Sequence, residues 1–396
     1  MNVDKIIKKY ELDKEIIEIR RHIHQNPELS EAENETAEYI CRKLDEWNIE
    51  YTKGVAGTGV IAIIRGNKPG NTVALRADMD ALPIYEETSL DFASINKGVM
   101  HACGHDSHVS ILLITARIIS LLKDEVKGNV KFFFQPAEET IGGAQRMIKE
   151  GCMENPEVDY VLGLHVEPTY DTGTLGIRYG KMYAASDMID LNIKGKSAHG
   201  AHPDEGVDTI VIAANIINTI QTVISRNISP LNSAVCTFGM IKGGAVRNQI
   251  ANQTRLEGTI RTLDQGTRLI VREKIRAICE NIGKVMGAQI EFNVTESYSP
   301  LTNNDEVTRL VENNARLLVG EKNVILEKYP DLGCEDFSYF ANKKPACYFH
   351  LGCYNPQNGP RVDLHHPQFT IDEKCMILGV KLQVENVISL LNKECK

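Results

Sequence analysis

Between Val99 and Ser110 the chain reads "VMHACGHDSHVS", which places His101, Cys103, His105, Asp106 and His108 within eight positions, directly before an apolar run. Such residues serve a metal site, a catalytic cysteine, or a helix start that happens to be rich in histidine. A Cys103 nucleophile with His105 as its base is disfavoured. The i, i+2 placement does not readily give the hydrogen bond, and a partner imidazole normally lies far away in sequence. Thiolate and imidazole together suit a borderline transition ion.

Other polar residues follow apolar strands. "VALRADMD" delivers Asp78 and Asp80, "KFFFQPAEE" delivers Glu138 and Glu139, and "VLGLHV" carries His165 near its end. "RVDLHHPQF" offers His365 in a loop after the last predicted strand. In an open α/β sheet, ligands bind beyond the carboxyl ends of the strands. Singly, each residue has an ordinary explanation: a hydrogen-bonded core histidine, a solvated glutamate pair, a cysteine used as a small hydrophobe. Together they form a ligand set, because burying them without a cation would leave unsatisfied charge.

The adjacent Glu138 and Glu139 leave a turn in different directions, so one carboxylate can bind metal while the other serves a water as general base. Cys103, His105, Glu139, His165 and His365 exceed what one tetrahedral ion needs. Two ions sharing a ligand would use the whole set, and two-metal sites commonly drive hydrolysis. A structural zinc site would close with four ligands and leave the second glutamate idle. "GVAGTGV", with Gly54, Gly57 and Gly59, precedes its strand and reads as a turn, not a dinucleotide loop.

These residues need a scaffold. "AEYICRKLDEW" sets Ala37, Ile40, Leu44 and Trp47 on one helical face, and "TGVIAIIRG" and "NTVALRAD" follow as a pair of short strands. A buried helix "ILLITARIISLL", strand "NVKFFFQ", helix "GAQRMIKEG" ended by Gly151, and strand "DYVLGLHV" come next. Doubly apolar strands alternating with helices predict an α/β fold, a mainly parallel sheet with helices on both faces. From Met182 the order becomes β-α-β-β-α-β, with helices at 207–226 and 266–285, the pattern of a ferredoxin-like α+β unit. Near Ser297 the first rhythm returns, with helices at 305–318 and 372–392. The simplest division is a catalytic domain at 1–182 and 297–396 with an inserted domain at 183–296.

A chain of 396 residues suggests more than one core. Its net charge of −9, with Lys and Arg dispersed among acids, offers no basic face for nucleic acid or an anionic membrane, so the expected partner is a small molecule or a peptide. "MNVDKIIKKYELDKEIIEIR" lacks a signal-peptide or membrane-spanning apolar run, so the expected location is the cytoplasm. The ten cysteines lack the spacing of a secreted scaffold and are read as reduced.

The segments "RRHIHQNPELS", "LRADMDALPI", "MHACGHDSH", "FQPAEE", "GLHV", "GKSAHGAHP", "LEGTIRT", "GCEDFSYF" and "LHHPQF" span almost the whole chain. This ordered set resembles the aminoacylase-type di-metal amidohydrolases, in particular the branch of hippurate hydrolases, auxin-conjugate hydrolases and N-acetyl-diaminopimelate deacetylases. The resemblance implies hydrolysis of the amide of an N-acyl amino acid by metal-activated water. Cys103, His105, Glu139, His165 and His365 would hold two divalent ions (Zn, Mn, Co or Ni). Glu138 would be the general base and Asp80 a carboxylate that orients a ligand. Asp78, Asp106 and His108 would orient ligands or cap the following helix.

The inserted domain resembles the family's lid and dimerisation module, which implies a homodimer. His199 would reach the partner subunit's active site and bond the developing oxyanion, and Asn248 and Arg261 would hold substrate. Asp204, Thr209 and Cys334 depart from the family pattern and bear on acyl and amino-acid preference. Glu335 and Asp336 either cap a helix at 336–342 or bind a ligand. A dipeptidase or aminopeptidase of the same family, and a metal-dependent binding protein without turnover, are the alternatives; a base beside the metal argues against the second.

Overall fold

A computed structural model describes residues 3–393. The chain forms two compact units. The larger comprises the chain up to Gly180, Thr302–Lys328 and the chain from Asp336 onward; the smaller comprises Lys181–Leu301 and Tyr329–Glu335.

The larger unit is built on an eight-stranded sheet. Its spatial order is Glu50–Val55, Gly59–Arg65, Lys127–Gln135, Lys68–Asp78, Tyr160–Asp171, Ala346–Tyr354, Leu175–Ile177, Val324–Leu326. The three central pairings and the last are parallel, and the others antiparallel. "FFF" in Lys127–Gln135 explains the layering, since successive side chains leave a strand on opposite faces. Phe132 and Phe134 join the main core, formed with helices Leu12–Gln25, Asn34–Glu46, His105–Leu121 and Lys374–Leu391. Phe133 points the other way, its ring 5.4 Å from that of Phe340 in helix Ser338–Ala341. Helices therefore cover both faces.

Gly59–Arg65 and Lys68–Asp78 are not neighbours: Lys127–Gln135 lies between them. The chain crosses that strand's start where Gly66 N–H donates to the Gly128 carbonyl. A Cβ on Gly66 would lie 2.3 Å from the Val126 oxygen, and one on Gly128 (φ +70°) 2.0 Å from the Asn71 oxygen. Only glycines let the backbones pass this closely, a constraint that hydrophobic periodicity does not reveal. Strand Glu50–Val55, polar and mostly exposed, also escapes the periodicity; it forms a hairpin with Gly59–Arg65 through the glycine-rich turn.

Deeper in the sheet, a Cβ on Gly163 would meet Tyr348 Cδ2 at 2.6 Å and Phe337 Cε2 at 2.8 Å. Gly163→Ala is expected to cost about 1–3 kcal/mol by overpacking, measurable as a lower denaturant midpoint.

In the smaller unit four antiparallel strands lie in the order Gln289–Glu296, Ala185–Lys194, Gln253–Thr262, Ala234–Gly243. With helices Thr209–Thr222 and Gln265–Val285 between them in chain order, this is the ferredoxin-like α+β arrangement. Ile189, Leu191, Ile193, Leu256 and Ile260 from the sheet bury against Ile212, Ile216, Ile220, Val271 and Ile275 from the helices. Asp208 accepts from Ile210 N–H and Val211 N–H, and Asp264 from Thr267 N–H, so each helix starts on a side-chain cap worth about 1 kcal/mol.

The helix expected at 336–342 is the single turn Ser338–Ala341. Asp336 does not cap it, because its carboxylate accepts from Arg76, Gln135 and the Ala144 N–H instead. The nine cysteines of the described residues are free thiols, and Cys395 lies outside those residues. Among the described residues no helix is long and apolar enough to cross a membrane.

Candidate metal centre

Cys103 and His105 flank Gly104, the left-handed residue (φ +85°) that starts helix His105–Leu121. A Cβ on Gly104 would lie 2.4 Å from Val166 Cγ2. Gly104→Ala is therefore expected to shift the two flanking side chains, lowering both melting temperature and bound metal. Wild-type metal content by elemental analysis would mean that this turn does not set the pair.

Hydrogen bonds fix the tautomers of three buried imidazoles, because a carbonyl can only accept and a backbone N–H can only donate. His105 Nδ1 donates to the Asp80 carbonyl at 2.9 Å, and His165 Nδ1 to the Val166 carbonyl at 2.7 Å. In its neutral form each therefore presents an Nε2 lone pair. His165 Nε2 faces Cys103 Sγ at 3.3 Å, while buried His105 Nε2 has no hydrogen-bond partner among the described residues. His108 is used differently: its Nε2 accepts from Val166 N–H at 3.0 Å and its Nδ1 donates to Asp78 at 2.6 Å. His108 thus has no lone pair for an ion and ties Asp78 to the backbone beside His165.

The carboxylates complete the cluster. Glu139 Oε1, buried without a hydrogen-bond partner among the described residues, lies 3.3 Å from His365 Nε2 and 3.9 Å from His105 Nε2. His365 is half-exposed, at φ +62°, its N–H donating to the Ala102 carbonyl. Asp80 Oδ2 accepts from Glu139 N–H and Ser30 Oγ, and its Oδ1 lies 3.4 Å from His105 Nδ1, so this residue stands behind both His105 and Glu139. The groups whose ligand atoms lie mutually within 4.8 Å include Cys103, His105 and His165; Cys103, Glu139 and His365; His105, Glu138 and Glu139; and Asp78, His105 and His108.

Electrostatics fit a cation. Burial pushes the Cys103 thiol well above its ordinary pKa, and Glu139, Glu138 and Asp78 push further. Burial and neighbouring His108 hold His165 far below its ordinary value. Burial opposes charge on His105, but Asp78, Asp80 and Glu139 outweigh it and raise the imidazole to about 10. An orphaned Nε2, an orphaned carboxylate oxygen and a thiol facing a bare imidazole nitrogen are the donor set of a mixed S, N, O site.

Behind the cluster, buried Arg76 donates to Asp78 (2.6 Å), Asp336 (2.7 Å) and Gln135 (2.8 Å). Asp106 neither caps its helix nor faces the ligands, because it accepts from Arg20 Nε and His24 Nδ1, both at 2.8 Å. Sequence reasoning passed over Arg20, His24, Ser30, Glu33 and Arg76. An arginine inside the apolar run "VALRAD" was the available signal, since a buried charge requires partners.

In the smaller unit His199 and Asn248 lie on neighbouring segments: Gly200 N–H donates to the Asn248 carbonyl, and both side chains are exposed. His199 Nδ1 accepts from Ala201 N–H, leaving Nε2 as the protonated nitrogen. Arg261 sits on strand Gln253–Thr262, its buried Nη1 without a partner among the described residues.

Residues 74–387 match the model of peptidase family M20/M25/M40. The chain belongs to this family. It is 40% identical over 387 residues to thermostable carboxypeptidase 2 of Saccharolobus solfataricus, covering 97% of each chain. It is 39% identical to the N-acetyl-L-cysteine deacetylase of Bacillus subtilis, covering 97% of this chain and 91% of that one. Among solved structures, a Bacillus subtilis protein described as a dinuclear metal-binding peptidase of family M20 superposes with a TM-score of 0.84 at 33% identity, covering 96% and 99% of the two chains. The M20 chain is thus a metal-dependent hydrolase, with the α/β fold and inserted domain of that family.

Proposed function

We propose that this M20 enzyme hydrolyses the amide of N-acyl amino acids, releasing the acid and the free amino acid. The observation that carries the reading is the buried Glu138, grouped with His105 and Glu139 but additional to the five-residue ligand set. Cys103 groups both with His105 and His165 and with Glu139 and His365, which supports a set in which Cys103, His105, Glu139, His165 and His365 would hold two divalent ions. Zn, Mn, Co and Ni all suit these donors. When bound, such ions supply Lewis acidity toward a carbonyl and toward water. Glu138 takes a proton from the attacking water as its oxygen adds to the amide carbon, then returns it to the leaving nitrogen as the C–N bond breaks. Asp80 holds His105 and Glu139 in place.

His199 acts in a second copy of the chain, its Nε2–H donating to the developing oxyanion, with Asn248 and Arg261 holding the substrate carboxylate side. A homodimer through the smaller unit would suit this role: edge strand Ala234–Gly243 leaves Val235, Met240 and Ile241 exposed, and helix Thr209–Thr222 leaves Ile210 and Val211 exposed. Mixing inactive Glu138→Ala and His199→Ala proteins under subunit exchange should restore partial activity; no recovery with exchange demonstrated would remove the trans role. The setting we propose is the cytoplasm, with small-molecule substrates and neither nucleic acid nor membrane as partner.

The 40% likeness to a protein named a carboxypeptidase favours peptide hydrolysis as the second reading. A panel of N-acetyl, N-benzoyl and indole-acetyl amino acids and N-acetyl-diaminopimelate, beside free dipeptides, separates the two. Release of amino acid from the acylated compounds is expected, and cleavage of dipeptides alone would transfer the assignment to a peptidase.

A further inference from the structure

We propose that Glu33 is a positioning residue of the active site, holding the left-handed turn at Ala137 and thereby the direction in which Glu138 presents its carboxylate. The inference rests on the reading of Glu138 as general base.

Ala137 has φ +54°, a conformation that an L-residue with a Cβ adopts only when its surroundings impose it. Glu33 supplies that imposition. Its side chain is fully buried, Oε1 accepts from Ala137 N–H at 2.8 Å, and Oε2 accepts from the Thr58 hydroxyl at 2.7 Å. Glu33 occupies the position that would cap helix Asn34–Glu46, yet its side chain makes no capping bond. The residue gives up that local bond and reaches across the fold to one backbone N–H, at the cost of burying a carboxylate.

The rest of the turn leaves little freedom. Gly142 N–H donates to the Ala137 carbonyl, Met79 N–H to the Gln135 carbonyl, and a Cβ on Gly143 would lie 1.9 Å from the Pro136 oxygen. Glu139 has its own anchor, since its N–H donates to Asp80 Oδ2. The two adjacent glutamates are therefore aimed by different carboxylates, Glu33 on the side of Glu138 and Asp80 on the side of Glu139. Loosening the Glu33 anchor should misdirect Glu138 and spare the ligand Glu139.

The test compares Glu33→Ala and Glu33→Gln with the wild type in three readouts: kcat and KM of the metal-loaded enzyme on an N-acetyl amino acid, metal bound per chain, and amide exchange of the 132–142 segment in metal-free protein. For Glu33→Ala the expectation is a kcat lower by on the order of 10²-fold, the penalty of a misplaced catalytic group. KM and bound metal should change little, and exchange should quicken in 132–142 alone. Glu33→Gln should restore rate and slow exchange, because its amide oxygen can accept from Ala137 and its NH2 can donate to Thr58. If Glu33→Ala does not fold, Glu33→Asp, one methylene too short to span both partners, carries the same expectation.

Wild-type kcat in the Ala or Asp variant, a loss of rate matched by loss of metal or by faster exchange throughout the chain, or a Gln variant as impaired as Ala would each overturn the proposal. Glu138→Gln assayed alongside separates the two readings. If it is inactive while Glu33→Ala is fully active, only the role of Glu33 falls. If it keeps turnover, the general-base reading falls, and the exchange measurement still reports whether Glu33 holds the turn.

Discussion

Glu138→Gln is expected to lower kcat by about 10²- to 10⁴-fold while bound metal stays at the wild-type level. The substitution keeps size and hydrogen-bonding shape and removes the ability to take a proton. Glu138 is buried beside His105 and Glu139, whereas the ligand atoms of Cys103, His165 and His365 group without it. A carboxylate that were itself a ligand would take metal with it when neutralised. Elemental analysis beside steady-state kinetics therefore separates the roles: loss of both metal and rate in Glu138→Gln, with metal kept in Glu139→Gln, would reverse the assignments of the pair.

Arg76→Met should be the most destabilising single change in the larger unit. The Arg76 side chain is fully buried between Asp78 and Asp336, which are also fully buried, and it donates to Gln135 as well. Burial raises the carboxyl of Asp78, but Arg76, His105 and His108 outweigh that effect and hold it well below the usual carboxylate range. Removing the guanidinium leaves buried carboxylates uncompensated, a loss of about 3–5 kcal/mol. At about 2–4 °C per kcal/mol for a unit of this size, melting should fall by roughly 6–20 °C. Methionine matches much of the volume, so the effect would be electrostatic. A calorimetric shift of under about 2 °C would show that the buried carboxylates become protonated or find other donors at little cost.

The fold and the candidate site were legible to different depths. Doubly apolar segments such as "KFFFQ" and "VLGLHV" sit at the centre of the sheet, where strands with two buried faces belong, and the β-α-β-β-α-β rhythm of the smaller unit follows from alternating helical and strand periods. Strand adjacency was less legible. Nothing in "TGVIAIIRG" or "NTVALRAD" says that Lys127–Gln135 separates them, because that depends on glycines passing within van der Waals reach of a backbone distant in sequence.

The candidate ligands stood out because their types are rare after apolar strands, and Cys103, His105, Glu139, His165 and His365 are brought together. The residues that aim them are not marked in this way. Glu33 lies in "SEAENET", which reads as an ordinary acidic helix start, and for His108, four residues from Gly104, the sequence leaves orienting a ligand and capping the helix both open, whereas in the fold its two ring nitrogens are committed to Asp78 and Val166. Hydrogen-bond direction, which separates a ligand from a support, belongs to the folded chain.

Metal dependence is tested most directly by titration. Protein stripped by chelation, its metal content verified by elemental analysis, is titrated with Mn or Zn while hydrolysis of an N-acetyl amino acid is followed. The prediction is no hydrolysis in the stripped protein and recovery in step with binding of two ions per chain. Hydrolysis by verified metal-free protein at the loaded rate would contradict it, as would full metal occupancy with no acyl compound cleaved.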